Sequence, residues 1–349
     1  MTSSAAVLSV AARLLAAFEA AGAARVETDI LQPSDVLLDL YGEDVRGRAF
    51  VTQDPSRGEM MLRPDFTVPV ARHHLAGSGG SATYTYSGTV FRQPPDGVDR
   101  PAEYVQVGYE VIGAPDSVRA DADLFAQFHA MLAPAALDVA TGDISLLTAA
   151  IGGLRVTEAR RAALLRHLWR PQRFRALLER FSKPLPPAAS SETDAPEIGL
   201  RTRDEVLARL SRLDAERAAP PLSKTEAEMM DALLSLRETS ANSLSQLRDL
   251  AVDMPAIQPA VTRMAARLEA LAARGIDAEG LPFEATYGRT SMEYYDGFVF
   301  GFLAPGRPDL PAVASGGRYD ALTRALGGDA PAVGGVIRPG LLVELGLQT

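Results

Sequence analysis

Hydrophobic and polar positions change period several times along the chain, and each period predicts a different element. The opening stretch, MTSSAAVLSVAARLLAAFEA, carries apolar residues at helical spacing and predicts an amphipathic helix capped near Ser3 or Ser4. SATYTYSGTVFRQ and EYVQVGYEVIG alternate and are rich in β-branched and aromatic residues. They predict two antiparallel strands joined by a turn at PPDG.

Upstream of these strands, the hydrophobic segments are short and separated by turn residues. RVETDILQPSDVLLDL predicts a strand followed by a turn that begins at a proline. RAFVTQDPSRGEMML predicts two short strands joined by a turn from Asp54 to Gly58. A helix is expected to begin near Asp65, after a Pro-Asp start signal, and another to run from Asp121 to Leu132.

The composition changes after residue 150. From Val156 to Phe181 the chain is rich in Arg, Ala and Leu at helical spacing, KPLPPAASSETDAPEIG resembles a linker, and further helices run to Gly275. This charged stretch is expected to form a solvated helical bundle.

Strand signals return from Phe283, in FEATYG, YYDGFVFGFLAPG, PAVASGGRYD and PAVGGVI. The predicted fold is therefore α+β, an antiparallel sheet flanked by helices and interrupted by a helical insertion. The expected division is residues 1–150, the insertion at 151–254, and the second part of the sheet domain at 255–349.

Composition excludes several functions. The chain has 349 residues, of which 47% are hydrophobic, and no cysteine, which excludes disulfides and thiolate metal sites. Its four histidines show no HxxxH or HExxH spacing. A net charge of −9 and scarce lysine argue against a protein that grips nucleic acid. No uninterrupted apolar run is long enough to span a membrane, so we expect a soluble, cytoplasmic protein without a cofactor.

One group of polar residues fits a free amino acid, whose ammonium needs carboxylates and whose carboxylate needs an arginine. Asp65 and Thr67 lie at a predicted helix start, and Arg92 ends a predicted strand. Gln106 and Glu110 are four residues apart on the next strand, so they share a face. The same residues also fit ordinary ion pairs between strands.

The last third adds a second group of candidates. Tyr294 and Tyr295 precede a predicted strand, and tyrosine hydroxyls suit a polar ligand because they both donate and accept. Two glycines in ASGGRYD would allow close backbone approach to a ligand. The residues concerned there are Gly316, Gly317, Arg318 and Tyr319. A turn with a core tyrosine fits that pattern as well.

Taken in order, these segments resemble the catalytic domain of histidyl-tRNA synthetase, a class II synthetase. MLRPDFTVPVAR is similar to the family's LRPE-T segment, and TYSGTVFR with EYVQVGYEVIG is similar to motif 2 with its histidine-binding Q-x-x-x-E. YYDGFVF and SGGRYDALTRALGG resemble the later histidine-site and glycine-rich motifs. ILQPSDVLLDLYGED resembles motif 1, whose proline, here Pro33, belongs to the class II dimer interface. The resemblance covers about residues 1–150 and 255–349.

Most departures from the family lie on the ATP side. Pro94 and Ala102 occupy the positions of a glutamate that contacts adenine and an arginine that engages ATP. Thr290 occupies the position of the catalytic arginine, and Arg289 beside it is expected to point to the other face of a strand. Pro339 stands where motif 3 needs a helical residue. We expect no anticodon-binding domain after motif 3. On the amino-acid side, Asp65 replaces the family's glutamate.

The residues that face the amino acid are therefore kept, whereas those that face ATP and tRNA are not. This pattern resembles the regulatory-subunit family of ATP phosphoribosyltransferase. The resemblance implies a non-catalytic protein of histidine biosynthesis that binds L-histidine as its feedback effector, either in this inherited pocket or at a subunit interface. It also implies a homodimer within a hetero-octamer that contains the short-form catalytic subunit. Asp65 and Glu110 would hold the ammonium and Arg92 the carboxylate, with Tyr295 and Tyr319 near the imidazole. A histidine-adenylating ligase and a scaffold without a ligand are the alternatives.

Overall fold

The computed structural model describes residues 4–34, 47–77, 79–94, 97–184, 202–289 and 294–347. The helices within these residues are α1 Ala5–Ala20, α2 Thr67–Leu75, α3 Ser117–Leu132, α4 Ile144–Gly153, α5 Glu158–Arg166, α6 Pro171–Phe181, α7 Arg203–Ala218, α8 Lys224–Ser235, α9 Ser240–Asp253, α10 Gln258–Ala272, α11 Asp320–Ala325 and α12 Pro339–Glu344. The strands are β1 Ala24–Arg25, β2 Leu31–Pro33, β3 Val51–Asp54, β4 Gly58–Leu62, β5 Ala82–Phe91, β6 Glu103–Ile112, β7 Asp138–Asp143, β8 Arg237–Thr239, β9 Pro282–Glu284, β10 Phe298–Leu303, β11 Ala314–Arg318 and β12 Ala332–Ile337.

A nine-stranded sheet organises the molecule, in the order β1-β5-β6-β12-β11-β10-β7-β9-β8. The β1–β5 and β7–β9 pairs are parallel and the other pairs are antiparallel. A separate three-stranded sheet has the order β2-β4-β3. The predicted α+β class, an antiparallel sheet flanked by helices, is confirmed, with two parallel pairs at its margins.

Each face of the large sheet is buried in its own apolar cluster, because side chains alternate along a strand. On β6, Val105 and Val107 pack into the cluster that contains α1, α3 and α12. The opposite face of the sheet is covered by α2, by α4 to α6 and by α8 to α10. Gln106 and Glu110 point to this second face, which we call the helical-layer face.

Several predicted elements are confirmed with small shifts. Ser4 caps α1, since its side chain accepts a hydrogen bond from the backbone of Val7. The turn between β3 and β4 spans residues 55–57, and β5 pairs with β6 as an antiparallel hairpin. Helix α2 begins two residues after the predicted start at Asp65, and α3 begins at Ser117, four residues before the predicted start.

Other expectations were wrong or lie outside the described residues. The stretch that contains Pro33 forms two short strands, and Pro33 ends the second of them instead of beginning a turn. Pro339 does not interrupt a helix, because it occupies the first turn of α12, where no backbone N–H is needed. Most of the motif 1 stretch, most of the linker stretch, and Thr290 lie outside the described residues.

The helical stretch is packed against the sheet more closely than a solvated bundle would be. Phe174, Leu233 and Leu247 are buried in the same cluster as the helical-layer face. Of the helices described in this stretch, α7 alone contains no buried residue. The stretch also supplies β8, a strand that the sequence pattern did not predict, to the edge of the sheet. Within the described residues, no helix has the length and apolarity needed to cross a membrane.

Candidate functional site

A buried carboxylate forms the centre of a polar cluster on the helical-layer face. Glu110 accepts hydrogen bonds from the hydroxyls of Thr67 at 3.1 Å, Tyr86 at 2.8 Å and Tyr319 at 2.7 Å. A carboxylate has about four lone-pair positions. Among the described residues, hydroxyl donors fill three of these positions, and a fourth can accept a further hydrogen bond.

The segment between β4 and α2 carries the second carboxylate to the same place. Asp65 is buried and accepts the backbone N–H of Thr67 at 3.1 Å. Arg63 pins this segment, since its guanidinium donates to the carbonyls of Thr28 and Thr89 and lies 4.0 Å from the ring centre of Phe66. The orientation of Asp65 therefore depends on an arginine that does not itself contact the cluster's carboxylates.

Glycines on neighbouring strands make room for this cluster. A Cβ at Gly108 would lie 2.1 Å from the ring of Tyr86, so only glycine lets that tyrosine cross the strand to reach Glu110. A Cβ at Gly334 would lie 1.4 Å from Oε2 of Glu110. Both contacts are far shorter than van der Waals distance, so these two positions are fixed by the position of the carboxylate.

Three tyrosines close one side of the cluster. The rings of Tyr294 and Tyr295 are 5.0 Å apart, those of Tyr294 and Tyr319 are 5.9 Å apart, and all three are buried. Tyr319 bonds Glu110 directly. The structure thus brings these tyrosines together with Asp65, Thr67 and Glu110.

Neighbouring groups of the protein fill the space beside the glycine-rich motif. The space beside Gly316 is filled by Phe300, and that beside Gly317 by the carbonyl of Phe298 and the side chains of Val299 and Tyr295. Arg318 is buried on the opposite face from Tyr319, where it donates to Asp121 at 2.9 and 2.6 Å. Arg318 therefore ties β11 to α3 and does not enter the polar cluster.

Gln106 lies on the same face of β6 as Glu110, two residues beyond Gly108. Its side chain is 1% exposed, and its amide oxygen has no hydrogen-bond partner within the described structure. A buried amide oxygen without a donor costs about 1–3 kcal/mol. Gln106 thus offers an acceptor that a bound N–H group would satisfy.

Arg92 lies at the other end of this region, beside a cavity of about 640 Å³. Its guanidinium donates to the carbonyl of Pro64 at 3.0 Å, which places it next to the segment that carries Asp65. Arg100 and Arg338 also line the cavity, and so does Pro94. Of the predicted site residues that the structure describes, Arg92 alone contributes to the lining, so the cavity does not contain the carboxylates.

The electrostatics of the cluster favour a cation. Burial and, to a smaller extent, the charge of Asp65 raise the pKa of Glu110 from 4.5 to about 7, against the hydrogen bonds from its three hydroxyl donors. Burial and then the charge of Glu110 raise the pKa values of Tyr86 and Tyr319 well above 10. The tyrosines therefore remain neutral donors, while two carboxylates share one apolar site that a ligand ammonium or imidazolium would neutralise.

Sequence reasoning missed three residues of the site. Tyr86 could have been found, because it alternates onto the same face as Gly88 and lies opposite Gly108 in the hairpin. Arg338 offers no such signal in the sequence. It is placed by bonds to the carbonyl of Ala312 and the hydroxyl of Ser315, and its charge opposes the rise in the pKa of Tyr295. Asp296 is the third, through its bonds to the chain beside Tyr319.

Of the two neighbouring residues at the position of the family's catalytic arginine, the structure describes Arg289 and not Thr290. Arg289 lies in a turn, not in a strand as expected, and its Nε donates to the carbonyl of Leu168 at 2.7 Å. The guanidinium is 4.9 Å from the ring centre of Phe174, so it is held by α6 and the turn before it. Among the described residues, no group of three or more His, Cys, Asp or Glu side chains is arranged to hold a metal ion.

Comparison with known proteins places this arrangement in a class. The chain matches the sequence model of the family described as histidyl-tRNA synthetase over residues 2–339. A solved structure from Bacillus halodurans, titled an ATP phosphoribosyltransferase regulatory subunit/histidyl-tRNA synthetase, superimposes with a TM-score of 0.71 at 23% identity, covering 99% of this chain and 79% of that one. The histidyl-tRNA synthetase of Nostoc superimposes with a TM-score of 0.65 at 16% identity, covering 98% and 72%. The fold is thus that of a class II synthetase of the histidyl-tRNA synthetase type.

Sequence relatives narrow the class. The ATP phosphoribosyltransferase regulatory subunit of Brucella anthropi is 30% identical over 344 residues, which cover 88% of this chain and 89% of that protein. The subunit of the same name from Brucella canis is 30% identical over 335 residues, covering 86% and 87%. The chain belongs to the family of ATP phosphoribosyltransferase regulatory subunits, which confirms the resemblance drawn from its motifs.

Proposed function

We propose that this protein is a non-catalytic regulatory subunit that binds L-histidine in the polar cluster around Glu110. The observation that carries the proposal is the buried, triply hydrogen-bonded carboxylate with one acceptor position still open. Its family membership supports an effect on ATP phosphoribosyltransferase. We propose that histidine bound here feeds back on that enzyme at the first step of histidine biosynthesis.

In the proposed complex, Asp65 and Glu110 face the cationic groups of histidine, and Gln106 accepts one of its N–H bonds. Arg92 faces the carboxylate, and Tyr295 and Tyr319 lie near the imidazole. Two acids at one end and an arginine at the other match a zwitterion, because each charge of the ligand then meets a partner. The burial of Glu110 supports this assignment, since a displaced water shell must be replaced by fixed donors and acceptors.

The partner in this proposal is the short-form catalytic subunit in the cytoplasm. A homodimer of this chain would join catalytic subunits in a hetero-octamer, and no nucleic acid or membrane takes part. We propose the same division of the chain as before, with residues 151–254 as an insertion in a synthetase-like domain. Histidine would act by binding the assembly's active and inhibited states with different affinities.

Isothermal titration with L-histidine tests the effector site. Glu110→Gln removes the charge but keeps the shape, and Glu103→Gln makes the same change at an exposed position of the same strand. We expect Glu110→Gln to weaken binding by roughly 10-fold or more, since charged hydrogen bonds contribute about 1.5–3 kcal/mol, and Glu103→Gln to bind like wild type. Equal binding by all three proteins would place the histidine site elsewhere.

A second measurement separates regulation from amino-acid activation. We expect no histidine-dependent ATP–pyrophosphate exchange, because Pro94 and Ala102 replace groups that contact ATP in the synthetases. The full-length protein should instead raise the activity of a short phosphoribosyltransferase and make it sensitive to histidine. Measurable exchange would favour the adenylating ligase and overturn the proposed function.

A further inference from the structure

The loop before β10 and the end of β11 are joined by one partly buried carboxylate. Asp296 follows Tyr295 directly, and Asp320 follows Tyr319 directly. The backbone N–H of Asp296 donates to the carbonyl of Arg318 at 3.0 Å. The segment that carries one site tyrosine is therefore bonded to the segment that carries the other.

The side chain of Asp296 strengthens this connection. Its Oδ1 accepts the N–H of Asp320 at 3.0 Å, and its Oδ2 accepts the N–H of Ala321 at 2.6 Å. The guanidinium of Arg324 lies 3.0 Å from Oδ2. Asp296 therefore caps the first turn of α11, which begins immediately after Tyr319.

The other end of the connection is fixed to the sheet. The N–H of Tyr319 donates to the carbonyl of Ala332 at 2.9 Å, and Asp320 accepts the N–H of Ala332 at 2.8 Å. Asp320 also accepts from Arg318 at 2.9 Å. With β12 holding one side, the side chain of Asp296 links the loop that contains Tyr295 to the turn that follows Tyr319.

We infer that Asp296 is a positioning residue for the effector site, which holds Tyr295 and Tyr319 at the distances that a bound amino acid requires. This inference rests on the proposed binding of histidine. It assigns a role to a residue that contacts neither Glu110 nor Asp65. Tyr295 packs on Gly317, and Tyr319 donates a hydrogen bond to Glu110. A change in the hydrogen bonds of Asp296 would therefore move Tyr295 relative to Tyr319 and Glu110.

The ionisation of Asp296 should make these hydrogen bonds, and with them the affinity for histidine, depend on pH. Burial and then the charge of Asp320 raise the pKa of Asp296 to about 6, against the N–H of Ala321 and the charge of Arg324. Above that pH the carboxylate accepts both backbone donors. Below a pH of about 6 the carboxylate is protonated, and its hydrogen bonds to the two backbone N–H groups weaken. Histidine affinity should therefore fall on the acid side with a contribution from this group.

The experiment measures histidine affinity of the full-length protein from pH 5 to 8. Asp296→Asn preserves shape but turns an N–H₂ toward a backbone donor, and Asp329→Asn removes the same charge at a nearby exposed position. We expect Asp296→Asn to bind histidine roughly 10-fold more weakly than wild type at pH 8. Its affinity should also fall less between pH 8 and pH 5, whereas Asp329→Asn should behave like wild type at every pH. The imidazole of the ligand titrates in all arms, so the proteins are compared at each pH.

Arg324→Met is the second variant, because it keeps both backbone hydrogen bonds and folding is expected to survive. Removing the positive charge raises the pKa of Asp296, so the loss of histidine affinity on acidification should begin at a higher pH. If both variants bound histidine like wild type, with the same dependence on pH, the positioning role of Asp296 would be overturned and the proposed function would stand. A wild-type protein that does not bind histidine would overturn the proposed function together with this inference.

Discussion

At the scale of single residues, the site is defined by a carboxylate that the fold buries and then surrounds with hydroxyl donors. Glu110 is 1% exposed and has its pKa raised to about 7 chiefly by burial. Its hydrogen bonds offset only part of the cost of removing the charge from water. A buried group of this kind should leave a signature in the pH dependence of stability.

We predict that the free energy of unfolding falls as the pH rises from about 4.5 to about 7, with a contribution from Glu110. In this window the folded protein holds a proton that the unfolded chain has released, because the folded pKa is the higher one. The contribution amounts to about 3 kcal/mol and levels off above the folded pKa. Urea unfolding at pH 4.5 and 7.5 should show a correspondingly shallower fall for Glu110→Gln.

Glu103→Gln is the control for that measurement, since Glu103 is exposed on the same strand. Asp296 has a raised pKa and contributes with the same sign, but it is present in all three proteins and cancels in the comparison. An equal fall in wild type and Glu110→Gln would show that Glu110 is ionised in the folded protein throughout this range.

The sequence predicts the residues of the site better than it predicts their connections. Gln106 and Glu110 share a face because strand periodicity requires it, and Asp65 lies at a helix start that the Pro-Asp signal marks. The approach of Tyr86 depends on Gly108 across the hairpin, and the bonds of Asp296 depend on a helix 24 residues away in the chain. Local periodicity does not contain such contacts between distant segments.

At the scale of elements, the missed strands have a common cause. β7 has the sequence DVATGD, whose aspartates and glycine disfavour a strand. It is nevertheless paired on one side with all of β10 and on the other with β9. β8 is only three residues long. Their pairing partners, which are far away in the chain, determine their conformation.

Helix α7 is an element held mainly at one end. It contains no buried residue, and its C-terminal turn is attached by Arg160 of α5. That guanidinium donates to the carboxylate of Glu216 at 2.9 Å, to the carbonyl of Glu216 at 2.7 Å and to the carbonyl of Pro220 at 2.8 Å. Because apolar burial does not fix α7, these bonds should control how often it opens.

We predict that Arg160→Met increases amide hydrogen exchange in α7 by roughly 10-fold or more, since each charged hydrogen bond contributes about 1.5–3 kcal/mol. Exchange in α9, whose Leu247 is fully buried, should change far less. Arg217→Met, which removes an exposed pair with Asp214 on α7 itself, is the matched control. Equal exchange in wild type and Arg160→Met would mean that other contacts hold this helix.

At the scale of the whole molecule, the helical stretch and the sheet share one core. Tyr86 of β5, Val299 of β10, Phe174 of α6 and Leu247 of α9 belong to one continuous cluster of buried side chains. β8 also continues the sheet from within the helical stretch. An insertion with a core of its own would be expected to unfold separately, whereas a shared core couples the two parts.

We therefore predict a single calorimetric unfolding transition, with calorimetric and van't Hoff enthalpies that agree. Val299→Ala in the sheet and Leu247→Ala in the helical stretch form a matched pair, since both side chains are at most 1% exposed. Each truncation leaves a cavity, and the leucine change alone costs about 2–5 kcal/mol, so both should lower the temperature of the same transition. Two transitions, with each variant shifting only one of them, would show that residues 151–254 fold as an independent domain despite the apolar contacts they share with the sheet.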